Sequence, residues 1–289
     1  MKIGVVGTRG GWSSELLADT VAAKTGFRLL VDMEQVCMDL DSGKVWTEGI
    51  DLGDLDGLII KKIGARYSPD LLDRLEVLRF LAQRGLPIFS SPMSVMRVLD
   101  RLSCTVTLRL GNIPMPPTTI TESVDEALCA VQRYGAAVFK PLFTSKARGM
   151  TVIDHGPGAR AAIEAFHAEN PIMYMQQKID LPGQDLGIVF LGGKYMTTYA
   201  RCGTGAWNTT TESGGKYAPA TPSPEALRTA EAAQALFDLD FTCVDVVEAA
   251  TGPVVFEVSA FGGFRGIQEA CGLDAAAMYT DYVMEKIRE

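Results

Sequence analysis

Histidine is almost absent. The 289 residues include two, His155 and His167, and these do not form an H-x-x-x-H pair. Neither a histidine-built zinc site nor a Ser-His-Asp triad is expected. Cysteine is sparse and scattered: Cys37, Cys104, Cys129, Cys202, Cys243 and Cys271 contain no C-x-x-C pair. A chain this long needs no disulfide framework, so all six read as buried, reduced thiols. Positive charge is in deficit, 27 basic against 35 acidic residues for a net −8, which leaves no footprint for a nucleic acid or an anionic membrane. No apolar stretch approaches the length that spans a bilayer. The opening MKIGVV run stops at Thr8-Arg9 and lacks the form of a signal peptide, so a cytoplasmic protein is expected. Internal repeats and low-complexity tracts are also missing. What remains is globular in character, 47% hydrophobic and 21% charged. The length suits about two compact units, and a chain of this size buries roughly 75% of its unfolded surface.

The first third alternates strand and helix patterns. Lys2–Val6, Phe27–Asp32, Gly57–Lys62 and Pro87–Ser90 read as strands. Between them, Ser13 or Ser14 opens a helix that runs through Lys24 and is closed by Gly26, and Ser68-Pro69-Asp70 opens one that ends at Gly85. Strands separated by helices imply a parallel, doubly wound sheet. The three prolines of 111–117 mark a connection into a second unit. There a helix (Val124–Tyr134), strands Ala137–Lys140 and Thr151–Ile153, a helix over Ala159–Ala168 and a strand Met173–Lys178 follow. The last third changes character: Gly192-Gly193 joins strands Leu186–Leu191 and Lys194–Arg201 as a hairpin. A Gly/Thr/Asn-rich loop spans 203–215. A helix over Pro224–Phe237, strands Phe241–Glu248 and Pro253–Val258 and a helix after Asp274 complete an α+β unit, antiparallel strands with helices on one face.

The chemistry concentrates in FTCVDVVEAATGPVVFEVSAFGG. With Ala250-Thr251-Gly252 as a three-residue loop, Asp245 faces Glu257. Val244, Val246, Val254, Phe256 and Val258 then form the core face, and Cys243, Asp245, Val247, Val255, Glu257 and Ser259 the other. Directly opposed carboxylates destabilise a sheet unless something cancels their charge. A hard cation is the economical answer; an exposed acidic face is the alternative. Lys140 ends the apolar strand AAVFK, before a loop with Lys146 and Arg148; this suits either a polyphosphate or a solvated strand end. The amide-bearing strand MYMQQKI offers backbone groups to a base edge. Gly7-Thr8-Arg9-Gly10-Gly11 lies between strand and helix, with Asp32 after the second strand. The loop fits a tight turn, a substrate-anion site or, least well, a dinucleotide site.

Together these features resemble the ATP-grasp superfamily, and within it the RimK-like ligases, from about Asp100 onward. The opening Asp100-Arg101, Lys140 on its strand before a flap, Gln176-Gln177-Lys178-Ile179 at the hinge, Asp185 in G-Q-D-L, Arg201 at a hairpin end, and Asp245 and Glu257 in the V-D … E-V pattern all follow the family order. Departures cluster elsewhere. Ser259 stands at an asparagine metal ligand, Gly187 at a substrate-facing arginine, and Ser213 at a basic residue before Gly214-Gly215. The flap T-S-K-A-R-G keeps only Gly149, and S-A-F-G-G replaces N-x-S-P-G. Among known groups the sequence is similar to the GAK-system ATP-grasp proteins.

The resemblance implies an α/β and α+β chain: an N-terminal doubly wound pre-ATP-grasp domain (1–95), a central ATP-grasp lobe (96–180) and a C-terminal lobe with an antiparallel sheet (181–289). It implies ATP and Mg²⁺ as cofactors. Catalysis would rest on Arg201 and Lys140. ATP would bind to Lys140, Lys146, Arg148, Gln177, Lys178, Ile179, Asp185 and Asn208, and metal to Asp245, Glu257 and Ser259. The implied reaction activates a carboxylate as an acyl phosphate for attack by an amine, on small-molecule or peptide substrates, with no nucleic-acid or membrane partner and with homo-oligomers allowed. The alternatives are a kinase acting on a non-carboxylate acceptor and a nucleotide-binding regulator without turnover.

Overall fold

The computed structural model describes residues 1–145, 147–203, 205, 207–210 and 214–289. In the N-terminal third, β1 (Ile3–Val6), α1 (Trp12–Thr25), β2 (Leu30–Val31), β3 (Cys37–Asp39), β4 (Lys44–Thr47), β5 (Ile50–Asp51), β6 (Gly57–Ile60), α2 (Asp70–Gln83) and β7 (Ile88–Phe89) follow in order. The order β2-β1-β6-β7 makes the expected parallel sheet. β1 and β6 are buried throughout because both faces are covered. Leu17 and Val21 of α1 pack on Val5 and Ile59; Leu71, Leu75 and Leu78 of α2 pack with Val6, Leu58 and Ile60. β3, β4 and β5 form a small antiparallel meander that the sequence reading did not anticipate.

The helix start at Ser13 or Ser14 is corrected. Gly11 precedes α1 without a side-chain cap, and the buried Ser14 hydroxyl accepts the Thr8 N–H at 3.1 Å instead. The Gly10 N–H donates to Glu15 at 2.8 Å, and Arg28 holds that carboxylate at 2.6 Å. Asp32 caps its own short turn by accepting the Glu34 N–H. The glycine-rich loop is thus a turn filled by the protein's own carboxylate, and Asp32 makes a local contact. The far end of α1 is as expected: Gly26 is left-handed (φ 75°) and its N–H reaches Ala22 O at 2.8 Å.

Two helices missed in the sequence, α3 (Pro92–Leu99) and α4 (Arg101–Leu110), lead into the second unit. Asp100 separates them and caps α4 through the Leu102 N–H. β8 (Thr118–Thr121), α5 (Val124–Tyr134), β9 (Ala136–Lys140), β10 (Thr151–Asp154), α6 (Ala159–Glu169) and β11 (Met173–Gln177) come next, with the sheet ordered β10-β9-β11-β8. Alternation decides its faces. Ala137, Phe139, Met173 and Met175 pack under Ala130, Val131, Ile163 and Phe166 of α5 and α6. Val138, Lys140, Tyr174 and Gln176 are thereby turned to the other side.

The last third contains β12 (Gln184–Leu191), β13 (Lys194–Cys202), β14 (Lys216–Pro219), α7 (Pro224–Ala235), β15 (Phe241–Ala249), β16 (Gly252–Ser259), α8 (Phe264–Cys271) and α9 (Ala275–Arg288). Its antiparallel sheet is ordered β14-β13-β12-β15-β16. Helices cover both faces rather than one. Ala226, Ala230 and Ala233 of α7 pack against Leu186, Ile188, Val244, Val246, Val255 and Val258. On the other face Phe264, Ile267 and Tyr279 cover Val189, Tyr199 and Cys243. The rest of that second face carries Asp185, Arg201, Asp245 and Glu257 and borders a cavity.

The β15–β16 hairpin reaches its register by another route than expected. Ala249 pairs with Gly252, so the turn has two residues, not three, and Glu248 faces Pro253. A bulge between Asp245 and Val246 then inserts one extra residue, Phe256, and restores Asp245 opposite Glu257. The pairing of the acids is therefore as expected, but the faces around it are not. Val255 lies in the core, fully buried, whereas Phe256 turns to the cavity beside Glu257. Four cysteines also depart from the expected burial: Cys37 and Cys129 are exposed and Cys202 and Cys271 partly so, while Cys104 and Cys243 are buried, and all six are free thiols. Among the described residues no helix is long and apolar enough to cross a membrane.

Candidate active site

A cavity of about 400 Å³ lies between the central sheet and the C-terminal sheet. Its walls come from strand ends. Lys140 ends β9, and Gln177, Lys178 and Ile179 lead out of β11. Asp185 opens β12 and Arg201 lies near the end of β13. Asp245, Glu257 and Ser259 come from β15 and β16. Asn208, Trp207 and Thr209 close one side, and Lys62 and Tyr67 reach it from the N-terminal unit. Lys62, Arg101, Lys140, Lys178 and Arg201 stand against Asp185, Asp245 and Glu257 among the described lining residues. That positive excess gives an otherwise acidic protein one concave surface suited to an anion.

Arg201 is the hub of the acids. Its Nε donates to Asp185 at 3.0 Å and 3.2 Å, its Nη2 also contacts Asp185, and the same Nη2 lies 2.9 Å from Asp245. Cross-strand register explains the first pair, because Asp185 faces Arg201 directly. Burial opposes the charge on Arg201, but Asp245 and Asp185 hold its pKa well above the usual range. Burial raises Asp245 to about 6, against the pull of Arg201. Thr209 donates to Oδ1 of Asp185, the oxygen that Arg201 Nε also reaches at 3.2 Å. The contacts of Asp185 are therefore those of a residue that orients Arg201. Glu257 is met by Arg101, whose Nη1 lies 3.8 Å away. Arg101 also donates to Pro141 O and Thr144 O, each at 3.1 Å, and so ties the start of the loop after β9 to this wall.

Lys140 is buried, with its ammonium on the Gln176 carbonyl oxygen and 5.2 Å from the centre of the Phe256 ring. Burial, reinforced by the like charge of Arg101, lowers its pKa to about 7. The hinge amides of Gln177 and Lys178 are taken by Pro117 O and Ala136 O. Asn208 accepts from the Thr210 N–H at 3.1 Å and the Thr210 hydroxyl at 2.8 Å. The Ser259 hydroxyl accepts from the Phe261 N–H at 3.2 Å.

Gly187 has a physical reason. A Cβ there would lie 2.4 Å from the Tyr199 ring, its direct cross-strand neighbour, and one on Gly266 would lie 2.8 Å from the same ring. Two glycines from different elements thus make the slot in which Tyr199 sits. Tyr217 packs edge-on at 5.4 Å, and the Tyr199 hydroxyl is 3.5 Å from Cys243 Sγ.

A model of the RimK-like ATP-grasp domain matches residues 96–283, well over half of the chain. The chain belongs to the RimK-like ATP-grasp family. It is 25% identical over 307 residues to the tetrahydromethanopterin:alpha-L-glutamate ligase of Methanosarcina acetivorans, covering 94% of this chain and 95% of that one. In fold it is similar to the RimK domain ATP-grasp protein of Sphaerobacter thermophilus (TM-score 0.74, 20% identity, 98% and 100% of the two chains). It is likewise similar to the ATP-grasp ligase PsnB complexed with a precursor variant, Mg and ADP (TM-score 0.77, 15% identity, 99% and 98%).

Of the residues expected at an ATP-grasp site, Lys140, Gln177, Lys178, Ile179, Asp185, Arg201, Asn208, Asp245, Glu257 and Ser259 all line this one cavity. Arg148 does not: it is exposed, while its neighbours Ala147 and Met150 face inward. Lys146 and Ser213 lie outside the described residues. The sequence reading missed Arg101 as the partner of Glu257, Phe256 under Lys140, and the Tyr199 slot. Only the first had a signal, the Asp100-Arg101 pair.

Proposed function

We propose that this chain is a MgATP-dependent carboxylate–amine ligase that works through an acyl phosphate. The observation that carries the reading is the convergence of Lys140, the 177–179 hinge, Arg201 and the opposed Asp245 and Glu257 on one cavity between two sheets. Family membership supports the same chemistry. Mg²⁺ takes one or two carboxylates and completes its shell with phosphate oxygens and water. Asp245 and Glu257 fit that demand: they face each other across two strands, with Arg201 on Asp245 and Arg101 near Glu257. When bound, the metal would neutralise phosphate charge and bring the transferring phosphoryl group into line.

The chain's own groups follow from position. Ile179 and the backbone beside it receive the base, because the two preceding amides are already bonded. Lys140 offsets polyphosphate charge. Arg201, held by Asp185 on one side, stabilises negative charge on the group in transfer. The carboxylate oxygen attacks the γ-phosphorus and ADP leaves; the amine then attacks the acyl carbon, phosphate leaves, and the amine proton passes to solvent. No side chain is needed as nucleophile, which accords with the scarcity of histidine. The reading is tested by ADP release over a panel of carboxylates, with and without amino acids and polyamines. Amine-dependent ADP release with an amide product supports it. A stable phosphorylated product would instead mean a kinase, and tight ATP binding without ADP formation a regulator.

A further inference from the structure

A chain of buried polar groups stands behind Lys140 and is not used by the chemistry above. The Thr118 hydroxyl gives its one proton to Pro116 O at 2.9 Å. Toward Gln176 it can therefore only accept, and it does so from Nε2 at 3.1 Å. The second amide hydrogen goes to the Tyr174 hydroxyl at 2.8 Å, which is in turn 2.9 Å from the Thr105 hydroxyl on α4. Both hydrogens of the Gln176 amide are thus committed, which settles its orientation and leaves the carbonyl oxygen to face the Lys140 ammonium. Gln176 and Tyr174 are 1% exposed. The two groups in direct contact with the ammonium, the Gln176 amide and the Phe256 ring, are both neutral, and the charges of Arg101 and Glu257 act on it from further away and in opposite senses.

An acceptor can hold a lysine in two ways. A carboxylate would fix the ammonium and also cancel its charge. An amide fixes it and leaves the charge available to an incoming anion. We propose that Gln176 is the positioning residue for Lys140: anchored through Thr118 on Pro116 and through Tyr174 on α4, it aims the ammonium into the cavity without neutralising it. The proposal rests on the reading of Lys140 as the polyphosphate lysine.

Calorimetric affinities of the full chain for ATP and for adenosine test both levels. Gln176→Glu supplies a charged acceptor in the same place, and Gln176→Met removes the acceptor at similar length. Each is expected to lower the ATP-to-adenosine affinity ratio by about tenfold, near the lower end of what a charge-assisted hydrogen bond is worth. Adenosine affinity itself should stay within about twofold, a change of under half a kcal/mol. Tyr174→Phe, which keeps the packing and loses one acceptor for the amide, should lower the ratio less and serves if the other variants do not fold. A purely structural Gln176 would lower the melting temperature and leave the ratio where it is. If Lys140→Met collapses the ratio while the Gln176 and Tyr174 variants leave it unchanged, the positioning role is wrong and the site reading stands. If Lys140→Met also leaves it unchanged, both fall.

Discussion

Replacing Asp245 by Asn should stabilise the unliganded protein while weakening its use of metal. Three carboxylates, Asp185, Asp245 and Glu257, meet at this wall, and burial raises Asp245 from 3.8 to about 6. A carboxyl displaced upward in this way is penalised when ionised in the folded state. The sign follows from linkage. Because the folded value is the higher one, the penalty is absent below the unfolded pKa, grows as pH rises from 3.8 to about 6, and is complete above that. Asparagine removes the penalty and keeps an oxygen for Arg201, so a net gain on the order of 1–3 kcal/mol is expected near neutral pH, discounted for the lost ion pair. For a chain of this size that is a rise in melting temperature of roughly 2–5 °C. Thermal melts without nucleotide, with chelator, at about pH 8 and about pH 4.5 read it out, and the gap should shrink at the lower pH. In the same variant the magnesium dependence of ATP binding should weaken. A variant that melts below wild type at the higher pH, or a gap that does not change with pH, would refute the reasoning.

Lys140, at about 7 in the free protein, should be driven to its charged form by phosphates. ATP binding above neutral pH then takes up protons, visible as a buffer-dependent heat in calorimetry, and Lys140→Met should abolish that uptake. Gly187→Ala places a methyl 2.4 Å from the Tyr199 ring. It should cost about 1–3 kcal/mol of stability in a melt, and much of that should return in a Gly187→Ala/Tyr199→Leu double variant. Ser259→Asn offers a longer amide oxygen beside Glu257. It should lower the Mg²⁺ concentration for half-maximal turnover, and loss of acceptor-stimulated turnover alone would place Ser259 with the substrate instead.

The acid pair was legible because two one-residue departures cancel between the turn and the pair. Asp245 and Glu257 oppose each other although the turn is one residue shorter than expected, since the bulge at Phe256 makes up the difference. The same error exchanged Val255 and Phe256 between faces, and nothing in VVFEV distinguishes the two registers. The β3–β5 meander escaped because its strands are two to four residues long and half exposed. Ser14 misled because a serine near a helix start reads as a cap, and here its hydroxyl serves the Thr8 amide from inside the first turn. Arg101 and Tyr199 act across 156 and 12 residues of sequence on Glu257 and Gly187, contacts that only the packing of α4 and the pairing of β12 with β13 create.

The most direct test of the ligase assignment follows an oxygen atom. With a carboxylate substrate labelled with oxygen-18, attack on the γ-phosphorus and later attack of the amine leave one carboxylate oxygen on the released phosphate. Mass analysis should find one labelled oxygen per phosphate, formed in step with ADP and amide. Unlabelled phosphate, or a phosphorylated product without amide, would contradict transfer through an acyl phosphate at this site.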